Sequence, residues 1–139
     1  MAQLVLTNAK VTLDSNDISA YIKSVKINFS KELQDSTVMG NTSKARLSGL
    51  ADWSIELEFN QDYAASAIDS IIWPIVSGST AKLIEVLAVN TTVSSSNPKY
   101  SGTGLIDGYN PIQGSVGEVA QSSITIMGSN GVALARATS

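Results

Sequence analysis

The stretch DWSIELEFN (residues 52–60) decides the fold class, because polar and apolar residues alternate along it without a break. A period of two is typical of a β-strand that has one face buried and the other face in water. The apolar members are Trp53, Ile55, Leu57 and Phe59, and the polar members are Asp52, Ser54, Glu56, Glu58 and Asn60. We therefore predict a strand whose apolar face packs in the core and whose acidic face is wet.

Segments on both sides of this stretch repeat the strand pattern and predict an all-β domain. The predicted strands, about seven in number, cover residues 4–13, 18–30, 52–60, 80–89, 100–109, 118–127 and 132–136. Turn signals at residues 14–17 and 128–131 separate strands at the spacing expected of a β-sandwich or barrel. The 139 residues show no repeat and no linker, so we expect one domain over residues 1–139.

Two segments depart from the strand pattern. Residues 62–75 predict one flanking α-helix, because apolar residues recur at every fourth position from Tyr63 to Ile75. Asp62 is placed to cap the first turn of this helix. Residues 33–49 have apolar residues without a clear period and predict a long loop. Loops of this length inside compact domains are usually functional or disordered.

The composition argues against an enzyme. The sequence contains no histidine and no cysteine, so it lacks both the usual base for a serine nucleophile and a reactive thiolate. The carboxylate pair Glu56 and Glu58 fits a solvated strand face better than a metal or glycosidase site. The glycines at residues 102–104 and 114–117 do not have the spacing of a phosphate-binding loop. We expect no catalytic residue, no metal and no cofactor.

The charge distribution argues against nucleic-acid binding, and the hydropathy argues against a membrane. Nine Lys and Arg residues against twelve Asp and Glu residues give a formal net charge of −3. The cations are scattered, whereas a surface that grips phosphates clusters them. No apolar run approaches the roughly 20 residues of a membrane span. The N-terminal residues lack the pattern of a secretory signal, so we expect synthesis and use in the cytoplasm.

The order of these elements resembles the major tail proteins, or tail tube proteins, of long-tailed bacteriophages. The similarity is carried by ISAYIKSVKINFSKELQDSTVMG (residues 18–40), by SGLADWSIELEFNQDY (residues 48–63) and by the helix that follows. The pieces Asn97-Pro98-x-Tyr100 and Gly114-x-x-Gly117 also fit, and together these stretches cover most of the chain.

The resemblance implies a β-sandwich flanked by a helix, in rings of six copies whose inner sheets join into one wide β-barrel. Stacked rings would form a virion tail tube, assembled in the host cytoplasm, through which DNA passes without specific binding. The implied partners are further copies of the chain and other tail proteins, such as tape measure, terminator and baseplate proteins, and no membrane. Contractile injection systems use the same architecture, so the type of tail stays open.

The resemblance implies one candidate surface, and the acidic strand face suggests a second. The loop at residues 33–49 would reach the neighbouring subunit or ring, and its polar composition would suit a segment that orders only on assembly. Its candidate contact residues are Leu33, Asp35, Thr37, Met39, Asn41, Lys44 and Arg46. Exposed carboxylates repel DNA phosphates and let a duplex slide, so we expect the acidic strand face to line the lumen. Its candidate residues are Asp52, Glu56 and Glu58.

Two other functions stay open at this point. One is a capsid decoration or head–tail joining protein, which would also be all-β and self-associating. The other is a carbohydrate-binding or adhesin-type sandwich that uses a tryptophan, such as Trp53 or Trp73, or a tyrosine as a platform. For both tryptophans we favour packing between the helix and the sheet over ligand binding.

Overall fold

The alternating stretch at residues 52–60 forms the C-terminal part of a long strand, β4 (Arg46–Asn60), in the computed structural model, which describes residues 4–139. The apolar side chains of this stretch are buried and its acidic side chains are exposed, as the alternation predicts. β4 lies between β3 (Ile22–Asp35) and β7 (Gln121–Gly128), with Ile55 opposite both Ile27 and Ile126. Cross-strand pairs of β-branched side chains of this kind stabilise a sheet.

The remaining elements complete one antiparallel sheet of eight strands and one helix. They are β1 (Lys10–Leu13), β2 (Asn16–Asp17), α1 (Ile68–Ser77), β5 (Lys82–Leu87), β6 (Lys99–Tyr109) and β8 (Ala135–Ala137). The strand order is β2-β1-β5-β6-β7-β4-β3, and β8 pairs with the first residues of β6. The all-β class with one helix is therefore confirmed, although several strands begin or end a few residues from their predicted bounds.

The sheet folds over a single core. The core cluster contains Val11 and Leu13 from β1, Ile84 and Val86 from β5, Ile55, Leu57 and Phe59 from β4, Ile124 and Ile126 from β7, and Ile68, Ile72 and Ile75 from α1. Because β5, β6 and β7 separate β1 from β4 in the sheet, the sheet must curl to bring both strands to one cluster. Within residues 4–139 no ladder joins β1 to β3, so the sandwich is not a closed barrel.

Trp53 occupies a space that two glycines leave open. A Cβ atom at Gly102 would lie 2.5 Å from Trp53 Cζ2, and one at Gly128 would lie 2.5 Å from Trp53 Nε1. The indole Nε1 donates a hydrogen bond to the carbonyl oxygen of Val132 at 3.3 Å. The prediction that Trp53 packs in the core is confirmed, and its polar atom has the partner that a buried indole needs.

The helix is shorter than predicted and begins later. It spans Ile68–Ser77 rather than residues 62–75, and Asp62 does not cap it. The Asp62 carboxylate instead accepts a hydrogen bond from the backbone N–H of Ala64 at 3.0 Å, a local turn that competes with helix formation. Trp73 points away from the core and is 53% exposed, so the prediction that it packs between helix and sheet is wrong. Within residues 4–139 no helix has the length and apolarity needed to cross a bilayer.

The segment at residues 33–49 is largely a β-hairpin and not an irregular loop. β3 continues to Asp35 and β4 begins at Arg46, and these two residues lie opposite each other at the end of the ladder. A register irregularity between Lys31 and Leu33 marks a bulge in the ladder. We call residues 30–51, which extend past the core, the arm. The arm lacks a hydrophobic period because nearly all of its residues are exposed, whereas alternation records the burial of one face.

Hydrogen bonds around Tyr109 connect the helix to the ends of β4 and β6. The Tyr109 hydroxyl donates to Asp69 Oδ1 at 2.6 Å and accepts from Gln61 Nε2 at 2.8 Å. Gln61 Nε2 also donates to the carbonyl oxygen of Pro111 at 2.8 Å. Burial, together with the hydrogen bond to Asp69, raises the pKa of Tyr109 to about 12.

We expect Tyr109→Phe to lower the free energy of unfolding by about 1–3 kcal/mol, because it removes two hydrogen bonds worth roughly 0.5–1.5 kcal/mol each. The pKa of folded Tyr109, about 12, lies above the ordinary value of 10.0. Its contribution is therefore complete below about pH 10 and is lost as the pH rises towards about 12. Denaturant titrations at about pH 8 and about pH 11.5 should show the gap between wild type and variant narrowing. An unchanged gap would contradict this assignment.

Candidate assembly surfaces

The arm carries apolar side chains in water. These are Leu33, Val38, Met39, Leu47 and Leu50, each more than 60% exposed. Met39, at the tip, is fully exposed. Single exposed apolar residues are ordinary on a protein surface, but a group of them on one projecting element marks an interaction site or an aggregation liability.

The tip of the arm is an organised turn. Asp35 Oδ1 accepts the backbone N–H of Thr37 at 2.9 Å, and Thr37 Oγ1 accepts the backbone N–H of Ala45 at 2.9 Å. Asn41 Oδ1 accepts the backbone N–H of Val38 at 2.8 Å, and Gly40 supplies the positive φ of +96° that the turn requires. All of these hydrogen bonds form between residues of one chain.

The seven candidate contact residues all lie in the arm, but the structure separates them into two groups. Asp35, Thr37 and Asn41 hold the turn, and Lys44 Nζ lies 3.6 Å from Asp35 Oδ2. Hydrogen bonds from Thr37 lower the pKa of Asp35, so this carboxylate is ionised at neutral pH. The second group comprises Leu33, Met39 and Arg46, whose side chains do not take part in these contacts, although all seven residues are exposed.

The acidic side chains of β4 belong to a wider polar face on β3, β4 and β7. Glu56 lies opposite Lys26 on β3 and Thr125 on β7. Asn28 Nδ2 donates to Glu56 Oε2 at 3.2 Å, and Glu58 lies in the next row. The prediction that Asp52, Glu56 and Glu58 are exposed is confirmed. Lys26 partly offsets the negative charge of this face. The sequence of β4 alone does not reveal this neighbour, because Lys26 belongs to β3.

The outer edge of β3 is the second feature of this part of the sheet. β3 ends the strand order, and within residues 4–139 no strand pairs with its outer edge. A long unpaired edge presents backbone N–H and C=O groups to any strand that approaches it. β3 carries three exposed lysines, Lys23, Lys26 and Lys31. Charged side chains on an edge strand discourage its unwanted pairing with other strands.

An apolar cleft of about 500 Å³ opens at the root of the arm. Ile27 and Phe29 of β3, Tyr100 of β6, and Leu134 and Arg136 near the end of the described chain form its walls. Phe29 is 49% exposed, and Arg136 Nε donates to the Tyr100 hydroxyl at 3.2 Å. The described residues hold no group of three or more acidic, His or Cys side chains that could bind a metal ion.

Comparison of this fold with known proteins identifies its class. No protein-family model and no curated protein matches the sequence. A chain in the virion of a native gene transfer agent particle matches with a TM-score of 0.72 at 17% identity, over 93% of this chain and 95% of that one. A chain in the sheath/tube terminator of the extracellular contractile injection system PVC matches with a TM-score of 0.72 at 12% identity, over 98% and 97%.

A third match is a chain in the tail of an empty gene transfer agent particle refined with C6 symmetry, with a TM-score of 0.68 at 16% identity, over 92% of each chain. The chain has the tail tube fold. The resemblance to tail tube proteins is thereby confirmed at the level of fold, and identities this low carry no residue-level assignment.

Sequence reasoning missed several exposed apolar residues of the arm, and it missed the cleft. Val38, Leu47 and Leu50 are as exposed as the predicted contact residues, and the signal for them is their lack of period inside an otherwise alternating chain. The cleft had no sequence signal, because its walls come from three distant parts of the chain.

Proposed function

We propose that this chain is a structural protein of a virion tail, which self-assembles into stacked rings to form a tube through which DNA passes. The observation that carries this proposal is the arm, an organised hairpin whose apolar side chains are left exposed by the other residues that the structure describes. As the resemblance to tail tube proteins implies, this arm would contact a neighbouring subunit or ring. The virion tail is then the site of action, and further tail proteins are the other partners.

The geometry supports a ring and a stack in different ways. Pairing of the free β3 edge with an edge of the next subunit would remove both edges and close the sheets into a ring. The arm projects past this sheet, so it can reach a different copy from the one that pairs with β3. One kind of heterologous contact would close the subunits into a ring, and a second kind would stack one ring on the next, which together generate a tube. The C6 symmetry of the gene transfer agent tail supports a six-membered ring.

A subunit of a tube wall needs no reactive side chains, and this sequence contains few. It contains neither histidine nor cysteine. We propose that it has no catalytic activity and no cofactor. A second candidate, a ring at the end of a tube, is favoured by the match to a sheath/tube terminator, which is as good as the match to the gene transfer agent virion.

Negative-stain microscopy of the purified protein at increasing concentration tests the proposal. Long hollow tubes are the expected result, and single rings that never stack would favour the terminator role. Compact trimers or monomers that bind empty capsids would favour a decoration protein instead. A protein that stays monomeric at all concentrations and binds glycans contradicts the tail function.

We further propose that the polar face with Asp52, Glu56 and Glu58 lines the lumen. The double variant Glu56→Lys/Glu58→Lys should still form tubes, because both side chains are exposed and point away from the core. Its tubes should retain DNA in a salt-dependent manner. Every subunit would add two lysines to the lumen, and their positive charges attract the DNA phosphates. Glu118→Lys, which alters an exposed carboxylate outside the sheet, is the control. DNA that binds the outside of the double-variant tubes would overturn the assignment.

A further inference from the structure

We propose that the apolar cleft at the root of the arm receives the arm tip of a second copy of this chain, with Val38 and Met39 entering between Phe29 and Tyr100. The inference rests on the proposed function, because it names the two surfaces that meet when copies assemble. It names Val38 and Met39 on one copy and Phe29 and Tyr100 on the other. This specific contact can therefore be wrong even if the protein does form a tail tube.

The cleft is suited to an apolar guest. Ile27, Phe29 and Leu134 supply apolar walls, and the Tyr100 ring closes one side. About half of the Phe29 side chain remains in water. Filling the cleft would therefore remove aromatic surface from solvent, which is the main favourable contribution to association.

The arm tip is suited to be that guest. Met39 is fully exposed and Val38 is 66% exposed, so both side chains stand free of their own chain. A methionine adapts to irregular gaps and makes favourable contacts between its sulfur and aromatic rings, and the cleft offers two rings. The hydrogen-bonded turn holds the tip in one conformation before contact, which lowers the entropy lost on binding.

The tip of a chain cannot reach the cleft of the same chain. Phe29 and Asp35 are six positions apart on β3, which places the start of the turn about 20 Å from the cleft at about 3.4 Å per residue. The paired β4 strand runs alongside this part of β3, so the hairpin cannot fold back without losing its ladder. A tip-to-root contact must therefore join two copies, and its two surfaces differ, as a repeating assembly requires.

One carboxylate of the arm tip, which lies among the cations Lys44 and Arg46, can meet a cation in the wall of the cleft. Arg136 is the charged residue in the wall of the cleft. Asp35 begins the turn that carries Val38 and Met39, and hydrogen bonds from Thr37 lower its pKa and keep it ionised. Lys44 approaches the other carboxylate oxygen at 3.6 Å, but both side chains of that pair are more than 60% exposed. An ion pair so exposed is weak and leaves the carboxylate able to meet Arg136.

The absence of cysteine from the sequence makes a direct test possible. Untagged Met39→Cys is mixed with affinity-tagged Phe29→Cys, allowed to assemble, oxidised and separated on a non-reducing gel. Val116→Cys, equally exposed but on the β6–β7 connection, replaces Met39→Cys in the control. Val5→Cys, 79% exposed, tests whether the N-terminal segment of a second copy occupies the cleft instead. Arg136→Cys replaces Phe29→Cys if that variant does not fold.

We expect about tenfold more tagged–untagged dimer with Met39→Cys than with Val116→Cys, because a disulfide forms only when the Cα atoms come within about 4.4–6.8 Å. Preferred cross-linking of Val5→Cys, or equal cross-linking of the control, overturns the inference. Tubes that form without a Met39 cross-link also overturn it but leave the tail function intact. If the parent chain forms neither rings nor tubes and no cross-link appears, both the docking and the proposed function are wrong.

Discussion

Replacing residues 36–45 by Asn-Gly is expected to abolish tube formation while leaving the domain folded. Asp35 and Arg46 lie opposite each other at the end of the ladder, so a two-residue turn can join them directly. Asn-Gly is the sequence that a two-residue hairpin turn of type I′ favours. The change removes Val38 and Met39, yet it alters neither the core nor the paired part of the arm.

The effect should be seen in assembly and not in stability. Negative-stain microscopy should show no tubes at concentrations where the wild type assembles fully. The free energy of unfolding should change by no more than about 1 kcal/mol, because the removed residues are almost all exposed. Circular dichroism and denaturant titration of the monomer measure this second quantity.

Two further variants separate the apolar tip from the turn. Val38→Ser/Met39→Ser keeps the length and hydrogen bonds of the turn and should also prevent assembly, because it removes only the apolar contact surface. Ile112→Ser/Val116→Ser removes equally exposed apolar side chains from the β6–β7 connection and serves as the matched control. We expect the control to form tubes. Tubes from the Asn-Gly variant would show that the arm tip plays no part in assembly.

Trp53→Ala should lower the free energy of unfolding by about 3–5 kcal/mol, the range for a large aromatic residue removed from a core. Trp53 is only 3% exposed, and its ring fills the space above two glycines. Gly102 and Gly128 have no side chains that could move into the vacated volume, so the cavity collapses poorly. The loss should therefore lie in the upper part of this range.

The chain provides its own matched control for this substitution. Trp73→Ala removes the same side chain from an exposed position on the helix and should cost less than about 1 kcal/mol. Urea titration followed by circular dichroism measures both variants without relying on indole fluorescence. If both variants lose the same free energy of unfolding, the packing of Trp53 against Gly102 and Gly128 does not contribute to stability as we propose.

The strands were predictable where one face is buried and the other is wet. Alternation in residues 52–60 identified the core side chains of β4 and the exposed Asp52, Glu56 and Glu58, and the structure confirms both sets. The helix was predictable in kind but not in extent. Asp62 could cap a helix, but its carboxylate forms a local turn with Ala64 instead. The helix therefore begins later than the apolar pattern predicts.

The candidate surfaces were only partly predictable. The unusual segment at residues 33–49 was identified as a candidate contact region, although as a loop. Its hairpin pairing could not be predicted, because apolar periodicity reports contact with a core and the arm makes little such contact. The tight environment of Trp53 was also hidden, because it depends on Gly102 and Gly128, which are far away in the sequence.

The sequence by itself determined that this protein is an all-β domain with an acidic strand face and no histidine or cysteine chemistry. These properties follow from local alternation and composition, which act on each strand separately. Only the tertiary structure decided that residues 30–51 form a projecting arm, that β3 has a free edge and that a cleft lies at the root of the arm. Those features depend on which strands pair, and pairing brings together residues whose separation along the chain leaves no local pattern.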